Sequence, residues 1–117
     1  IGMREIINKI KNNYSIALMV DQRVSEAPRS PFFGKPAHTT TIPAQLVLKY
    51  DCKLVPIFLE RINGTNFEMT IYEPYKFKKT GNNDQDSKDI TVKINQNLEK
   101  MIIKNPSQWI WSHNRWK

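Results

Sequence analysis

Ser15-Ile-Ala-Leu-Met-Val-Asp-Gln22 is the stretch of sequence on which the fold prediction depends. Its first six residues carry no charge and are followed by two polar side chains. An apolar run this short favours a buried strand over a helix. Asp21 and Gln22 then lie at the carboxyl end of that strand, where open α/β sheets bind their ligands. The stretch therefore predicts an α/β fold with a candidate binding site at these two residues.

The residues on either side of this stretch predict helices and a loop. Met3 to Lys11 carries isoleucines at helical spacing, which predicts a short helix. Arg23 to His38 contains three prolines and one glycine, which predicts a long loop. Thr39 to Thr41 then offers side chains that can cap a helix ending at about Tyr50.

The second half of the chain predicts two strands and a helix. Lys53 to Ile62 is rich in Val, Ile, Leu and Phe, and Asn63-Gly64 predicts a hairpin turn after it. Asn66 to Glu73 alternates apolar and polar residues like a half-exposed strand. Ser87 to Lys104 has the apolar spacing of a helix. We therefore expect an α/β fold with a mixed sheet flanked by helices, with residues 1–117 forming part of one domain.

The chain is basic, with 18 Lys and Arg against 11 Asp and Glu and a formal net charge of +7. This charge favours an anionic partner such as nucleic acid, an acidic lipid surface or a phosphorylated substrate, unless it is only a solvated surface. The single cysteine, Cys52, excludes an internal disulfide and fits a reducing compartment. No stretch approaches the about 18 apolar residues that a membrane span needs.

The last nine residues, Trp109 to Lys117, hold all three tryptophans together with a histidine, an arginine and a lysine. We call them the aromatic tail. Such a tail is typical of a stacking platform for single-stranded nucleic acid, of an interfacial membrane anchor, or of an enzyme segment packed beside an active site. The chain has no recognisable RRM, KH, OB or helix-turn-helix signature, so no nucleic-acid partner is expected. A non-catalytic basic module that binds membranes or nucleic acid remains the alternative to an enzyme.

Four features, in this order, resemble the bacterial lipid A biosynthesis acyltransferases, the lauroyl/myristoyl branch of the lysophospholipid acyltransferase superfamily. They are Met19 to Gln22, Pro31 to Ala37 with Thr39, Val55 to Phe58 with Arg61, and Asn105 to Trp111 with His113 to Lys117. The similarity covers essentially all 117 residues. It implies transfer of an acyl chain from an acyl carrier protein to a hydroxyl of a lipid A precursor, at the cytoplasmic face of the bacterial inner membrane. We expect neither a cofactor nor a metal.

The resemblance also implies a catalytic histidine that is followed, after four residues, by an acidic residue. The histidine would be the general base and the carboxylate would orient it. His38 is followed at the matching position by Pro43, and His113 has only four residues after it, so no catalytic residue is assigned. In the family the motif lies upstream of the segment that corresponds to Gly2-Met3-Arg4. We therefore expect this chain to be the C-terminal part of the enzyme, inactive on its own.

The candidate substrate-binding residues come from the matching motifs. Asp21 and Gln22 are expected either to bind sugar hydroxyls or a cationic neighbour, or only to stabilise a turn. Phe32, Phe33 and Gly34 are expected either to line the acyl-chain pocket or to plug the core.

Four further candidates belong to the same set. Thr39 follows the loop motif, and Arg61 is expected to pair with a substrate phosphate or with a neighbouring glutamate. His113 and Arg115 are expected to meet phosphates or lipid headgroups, while the tryptophans around them could instead cover the sheet.

Overall fold

The computed structural model of the protein describes residues 2–117, which form three α-helices and two small antiparallel sheets. The elements run in the order α1 (Met3–Lys11), β1 (Arg29–Phe32), β2 (Lys35–His38), α2 (Ile42–Tyr50), β3 (Ile57–Asn63), β4 (Asn66–Ile71) and α3 (Asn83–Lys104), followed by a short 3₁₀ helix, Pro106–Gln108. The predicted α/β class is confirmed. Among residues 2–117, no helix combines the length and the apolar character needed to cross a membrane.

The strands are arranged as two separate hairpins, and not as the one mixed sheet that we expected. β1 pairs with β2 and β3 pairs with β4, both antiparallel. The strand predicted at Ser15 to Val20 is wrong, because this segment forms no ladder with any part of residues 2–117. The backbone N–H and C=O groups of a strand must pair with those of a neighbouring strand. A hydrophobic pattern in the sequence does not show whether such a neighbour exists. Val20 still packs on the core, whereas Met19 is 76% exposed.

The long loop predicted at Arg23 to His38 is wrong in its second half, which folds into the β1–β2 hairpin. Its turn is Phe33-Gly34, with φ angles of 50° and 72°. Positive values at both central residues are what a tight type I′ hairpin turn requires. Pro31 lies opposite Pro36. Proline has no N–H, but alternate pairs of an antiparallel ladder exchange no hydrogen bond, so this pair fits such a position.

The helices follow the predictions closely. α1 and α2 have the expected positions. α3 begins at Asn83 instead of about Ser87. The Asn82 side chain caps this earlier start, because it accepts a hydrogen bond from the Gln85 N–H at 3.1 Å. The hairpin turn after Asn63 is confirmed, although both of its strands are shorter than expected.

α3 supports the rest of the molecule through two apolar clusters. The first joins α3 to α2 through the buried side chains Ala44, Val47, Ile90 and Ile94. The second joins α3 to the β1–β2 hairpin and the aromatic tail through the buried side chains Phe32, Ala37 and Ile102. By contrast, α1 buries no residue, and the β3–β4 hairpin remains largely exposed. The residues of the candidate site therefore pack against the C-terminal half of α3.

Candidate functional site

The turn of the β1–β2 hairpin is anchored on α3. The backbone N–H of Phe33 donates a hydrogen bond to Oε1 of Glu99 at 2.7 Å. Gly34 is exposed, and a Cβ placed on it would have no atom within 4 Å. The turn consequently holds Phe32 completely buried while Phe33 stays half-buried beside it.

The aromatic tail folds back over this turn. The ring of Phe32 stacks on Trp116 at 5.5 Å and meets the edge of Trp109 at 5.6 Å. Trp116 also donates its indole N–H to the carbonyl of Phe32 at 3.1 Å. Phe33 lies 6.0 Å from Trp111, whose side chain is 49% exposed. The tail and the hairpin thus form one aromatic surface that is closed on the Phe32 side and open on the Trp111 side.

Arg115 lies under this surface and is completely buried. Its Nη2 donates to Oγ1 of Thr39 at 2.9 Å and to Oδ1 of Asn95 at 3.1 Å. Burial lowers the pKa of Arg115 below its ordinary value, and the negative charge of Asp21 opposes that shift. Its Nε and Nη1 have no hydrogen-bond partner among residues 2–117. Arg115 therefore joins the tail to the hairpin and to α3, and it is electrostatically coupled to Asp21.

Asn95 is a member of this site that the sequence reasoning missed. It is fully buried in the middle of α3, and its Nδ2 donates to the carbonyl of Pro31 at 2.9 Å and to Oγ1 of Thr39 at 3.1 Å. Thr39 in turn donates to the carbonyl of Ala37 at 3.0 Å. The available signal was an asparagine directly after Ile94, on the side of the helix that carries the apolar residues. A polar residue on such a face needs buried partners.

The loop that follows Asp21 and the tail residue His113 meet at one edge of the site. The backbone N–H of Arg23 donates to Nε2 of His113 at 2.9 Å, which places the loop after Asp21 against the tail. Asp21 is half-buried, and Gln22 is exposed. The structure therefore brings Asp21, His113 and Arg115 into one neighbourhood.

The sequence of the chain that folds into this site matches a known protein family. The sequence model of the bacterial lipid A biosynthesis acyltransferases matches residues 1–117, the whole chain. This protein belongs to that family. The chain is also similar to a lipid A biosynthesis acyltransferase of Haemophilus influenzae, with 31% identity over 90 residues. The alignment covers 74% of this chain but only 28% of the relative, so the aligned part spans little more than a quarter of that protein's length.

In this lipid A acyltransferase family member, Arg61 lies on the β3–β4 hairpin, away from the Arg115 contacts. Its guanidinium donates to the carbonyl of Gly64 and lies 4.4 Å from the centre of the Phe67 ring. Its backbone exchanges two hydrogen bonds with the side chain of Gln108, just before the tail. No carboxylate lies within ion-pair distance of it among the described residues. The binding of a substrate phosphate by Arg61 stays a prediction.

Neither histidine is oriented by an acid in the part of the family domain described here. His38 is half-buried and donates from Nδ1 to the carbonyl of Ala27 at 2.9 Å. Nε2 of His113 accepts a backbone hydrogen bond, so its neutral ring carries the proton on Nδ1. No carboxylate lies within ion-pair distance of either ring in residues 2–117. Neither His38 nor His113 forms the histidine–acid pair that would act as general base on a hydroxyl that accepts an acyl group.

Proposed function

We propose that residues 1–117 form the C-terminal part of a longer acyltransferase that moves a fatty acyl chain from an acyl carrier protein to a hydroxyl of a lipid A precursor. The observation that carries the proposal is the convergence of Asp21, the Phe32–Gly34 turn and the aromatic tail around Arg115. The family match and the small share of the relative that aligns support it.

The acyl chain would lie against the open side of the aromatic surface. Phe33 and Trp111 are adjacent there, and the neighbouring Ile110 is 70% exposed. Apolar and aromatic walls with few polar groups are typical of sites that hold hydrophobic ligands. This arrangement supports a role for the turn in binding the chain that is transferred.

The acceptor headgroup would bind at the polar edge, next to Asp21 and His113. Asp21 can accept hydrogen bonds from sugar hydroxyls, and its negative charge acts on the buried cation of Arg115. Gln22 is exposed next to it and adds an amide donor and acceptor. The hydroxyl that attacks would then be held at this edge while the acyl chain lies on the aromatic side.

The reaction would take place at the cytoplasmic face of the inner membrane. The formal net charge of +7 favours approach to an anionic lipid surface. We propose that the 117 residues alone do not turn over, because neither His38 nor His113 has an acid at the family's spacing. General acid–base catalysis typically contributes ~10²- to 10⁴-fold, so little activity would remain without it.

The test is transfer of a labelled acyl group from acyl carrier protein to a lipid A precursor, measured for the full-length enzyme and for the 117-residue chain. The full-length enzyme should acylate the precursor, and the 117-residue chain should not.

Asp21→Asn in the full-length enzyme should lower kcat/KM by about tenfold or more with little change in melting temperature. Glu26→Gln, in the exposed loop that follows, is the matched control and should leave kcat/KM unchanged. If Asp21→Asn has the kcat/KM of wild type, Asp21 is not part of the substrate-binding site. If the full-length enzyme does not acylate the precursor, the proposed function is refuted.

A further inference from the structure

Phe33 has an unusual backbone conformation for a large side chain. It is the first central residue of the turn in the β1–β2 hairpin, and its φ angle is 50°. Such positions are usually glycine, asparagine or aspartate, because a larger side chain at positive φ crowds the following carbonyl group. Bulky residues in this conformation are outliers, and outliers of this kind cluster at functional sites. The phenyl ring is therefore placed here in spite of backbone strain.

Glu99 of α3 holds the backbone of Phe33 in this conformation. Phe32 and Lys35 are the paired residues on either side of the turn, and a turn of this kind gives the N–H of its first central residue no partner. Oε1 of Glu99 accepts that N–H at 2.7 Å, a length typical of a bond to a charged acceptor. Among residues 2–117, no cation lies within ion-pair distance of Glu99. The half-buried carboxylate is therefore directed at the backbone of Phe33 and not at a neighbouring charge.

Glu99 itself lies on a firmly packed part of α3. The preceding residue, Leu98, packs against both apolar clusters. Ile102, which is three residues further along and on the same side of the helix, is buried in the second cluster. The helix therefore fixes the position of Glu99, and Glu99 fixes the position of the turn.

The ring that is held in this way lies at the open side of the aromatic surface. Its centre is 4.8 Å from that of Phe32 and 6.0 Å from that of Trp111. Trp111 is held separately, because its indole N–H donates to the carbonyl of Pro106 at 2.7 Å. The pair formed by Phe33 and Trp111 thus depends on two hydrogen bonds, one of which Glu99 makes.

We propose that Glu99 is a positioning residue for acyl transfer. Its carboxylate keeps the Phe33 ring beside Trp111, and the two rings form the wall that contacts the acyl chain of the donor. This role rests on the proposed function, in which the acyl chain lies on this side of the aromatic surface. Glu99 acts through Phe33 and does not touch the substrate. Its loss should therefore weaken binding of the acyl donor and leave binding of the acceptor unchanged.

The experiment is steady-state kinetics of the full-length enzyme, with the acylated carrier protein and the lipid A precursor varied in turn. Glu99→Ala should raise KM for the acylated carrier protein by about fivefold or more and leave KM for the precursor within about twofold of wild type. Glu99→Gln keeps an acceptor oxygen for the Phe33 N–H, so its donor KM should stay within about twofold of wild type. Asp89→Ala removes the same charge from an exposed position on α3, and both of its KM values should stay within about twofold.

Phe33→Asn tests whether Glu99 acts through the ring. Asparagine adopts the left-handed conformation more readily than phenylalanine but carries no ring. Phe33→Asn should raise the donor KM about as much as Glu99→Ala does, and the double variant Phe33→Asn/Glu99→Ala should raise it no further. If Glu99→Ala does not fold, Glu99→Asp takes its place, because the shorter side chain moves the acceptor away from the Phe33 N–H.

The outcomes separate this role from the proposed function. If wild type transfers acyl groups but the donor KM is unchanged in the folded Glu99 variant or in Phe33→Asn, the role of Glu99 is refuted alone. Effects that multiply in the double variant would also refute it, because they would show that the two residues act independently. If the wild-type enzyme transfers no acyl group, the proposed function is refuted and the role of Glu99 with it.

Discussion

The guanidinium carbon of Arg115 lies 4.2 Å from the centre of the Phe32 ring, and both side chains are completely buried. The contact joins residues from the C-terminal tail and from the hairpin turn. A cation over an aromatic face is attracted by the ring quadrupole, and the attraction is larger where water is excluded. The hydrogen bonds from Arg115 to Thr39 and Asn95 hold it in this position.

Arg115→Lys should lower the free energy of unfolding by about 2–4 kcal/mol, because the ammonium cannot reproduce the planar fork and leaves buried acceptors unpaired. Lys117→Ala, two residues away and exposed, is the control and should stay within about 0.5 kcal/mol of wild type. Urea denaturation measures both. Equal stability of Arg115→Lys and wild type would show that the buried network does not hold the tail.

Gly34→Ala should destabilise the protein by about 1 kcal/mol, because a Cβ is strained at positive φ. Since a Cβ at Gly34 has no atom within 4 Å, the whole effect would come from the backbone and not from a clash. Gly34→Asn should cost less, because asparagine tolerates this conformation better. If urea denaturation shows the two variants to be equally destabilised, backbone strain is not the cause.

Asp86 should make the stability of the fold sensitive to acid. The Thr80 hydroxyl, together with the backbone N–H groups of Thr80 and Gly81, holds the pKa of Asp86 below its ordinary value, against the opposing effect of burial. A lowered pKa in the folded state means that the carboxylate stabilises the protein above the unfolded pKa of about 3.9, and that this contribution is lost as the pH falls through the folded value.

The measurement is the melting temperature of wild type and Asp86→Asn between pH 7 and pH 2. Wild type should be the more stable at neutral pH, and the difference should shrink as the pH falls below about 4. Asp89→Asn, at an exposed position on the same helix, is the control for the loss of one negative charge from α3. A difference that is constant with pH would contradict the assignment.

The isolated 117-residue chain should associate in solution through the β3–β4 hairpin. Leu59 and Met69 are cross-strand partners, and they are 56% and 59% exposed. Ile57 and Ile71 continue the same exposed apolar face. Contiguous apolar patches and open strand edges are typical sites of association.

Analytical ultracentrifugation of Leu59→Glu/Met69→Lys, which leaves the net charge unchanged, should show less association than wild type. The control is Glu68→Gln/Lys78→Gln, which also leaves the net charge unchanged and removes no apolar side chain. A wild-type chain that is a monodisperse monomer and melts in one sharp cooperative transition would contradict the prediction.

Local patterns in the sequence were sufficient for the helices and for one turn. The spacing of Ile90 and Ile94 predicted α3, the spacing of isoleucines predicted α1, and Asn63-Gly64 predicted the β3–β4 turn. These features depend on contacts between residues close in the chain, so a short window of sequence contains their causes. The family could be recognised for a similar reason, because its motifs are short and ordered along the chain.

Features that depend on distant partners could be decided only by the tertiary structure. Ser15 to Val20 has the composition of a strand but has no neighbour with which to form a ladder within residues 2–117. Asn95 reads in sequence as a break in an apolar face, and its role appears only when Pro31, Thr39 and Arg115 surround it. The sequence by itself determined which residues are apolar, charged or turn-forming. Tertiary packing decided that Arg115 would be buried, because the energy of a buried cation depends on partners that are 20 and 76 residues away.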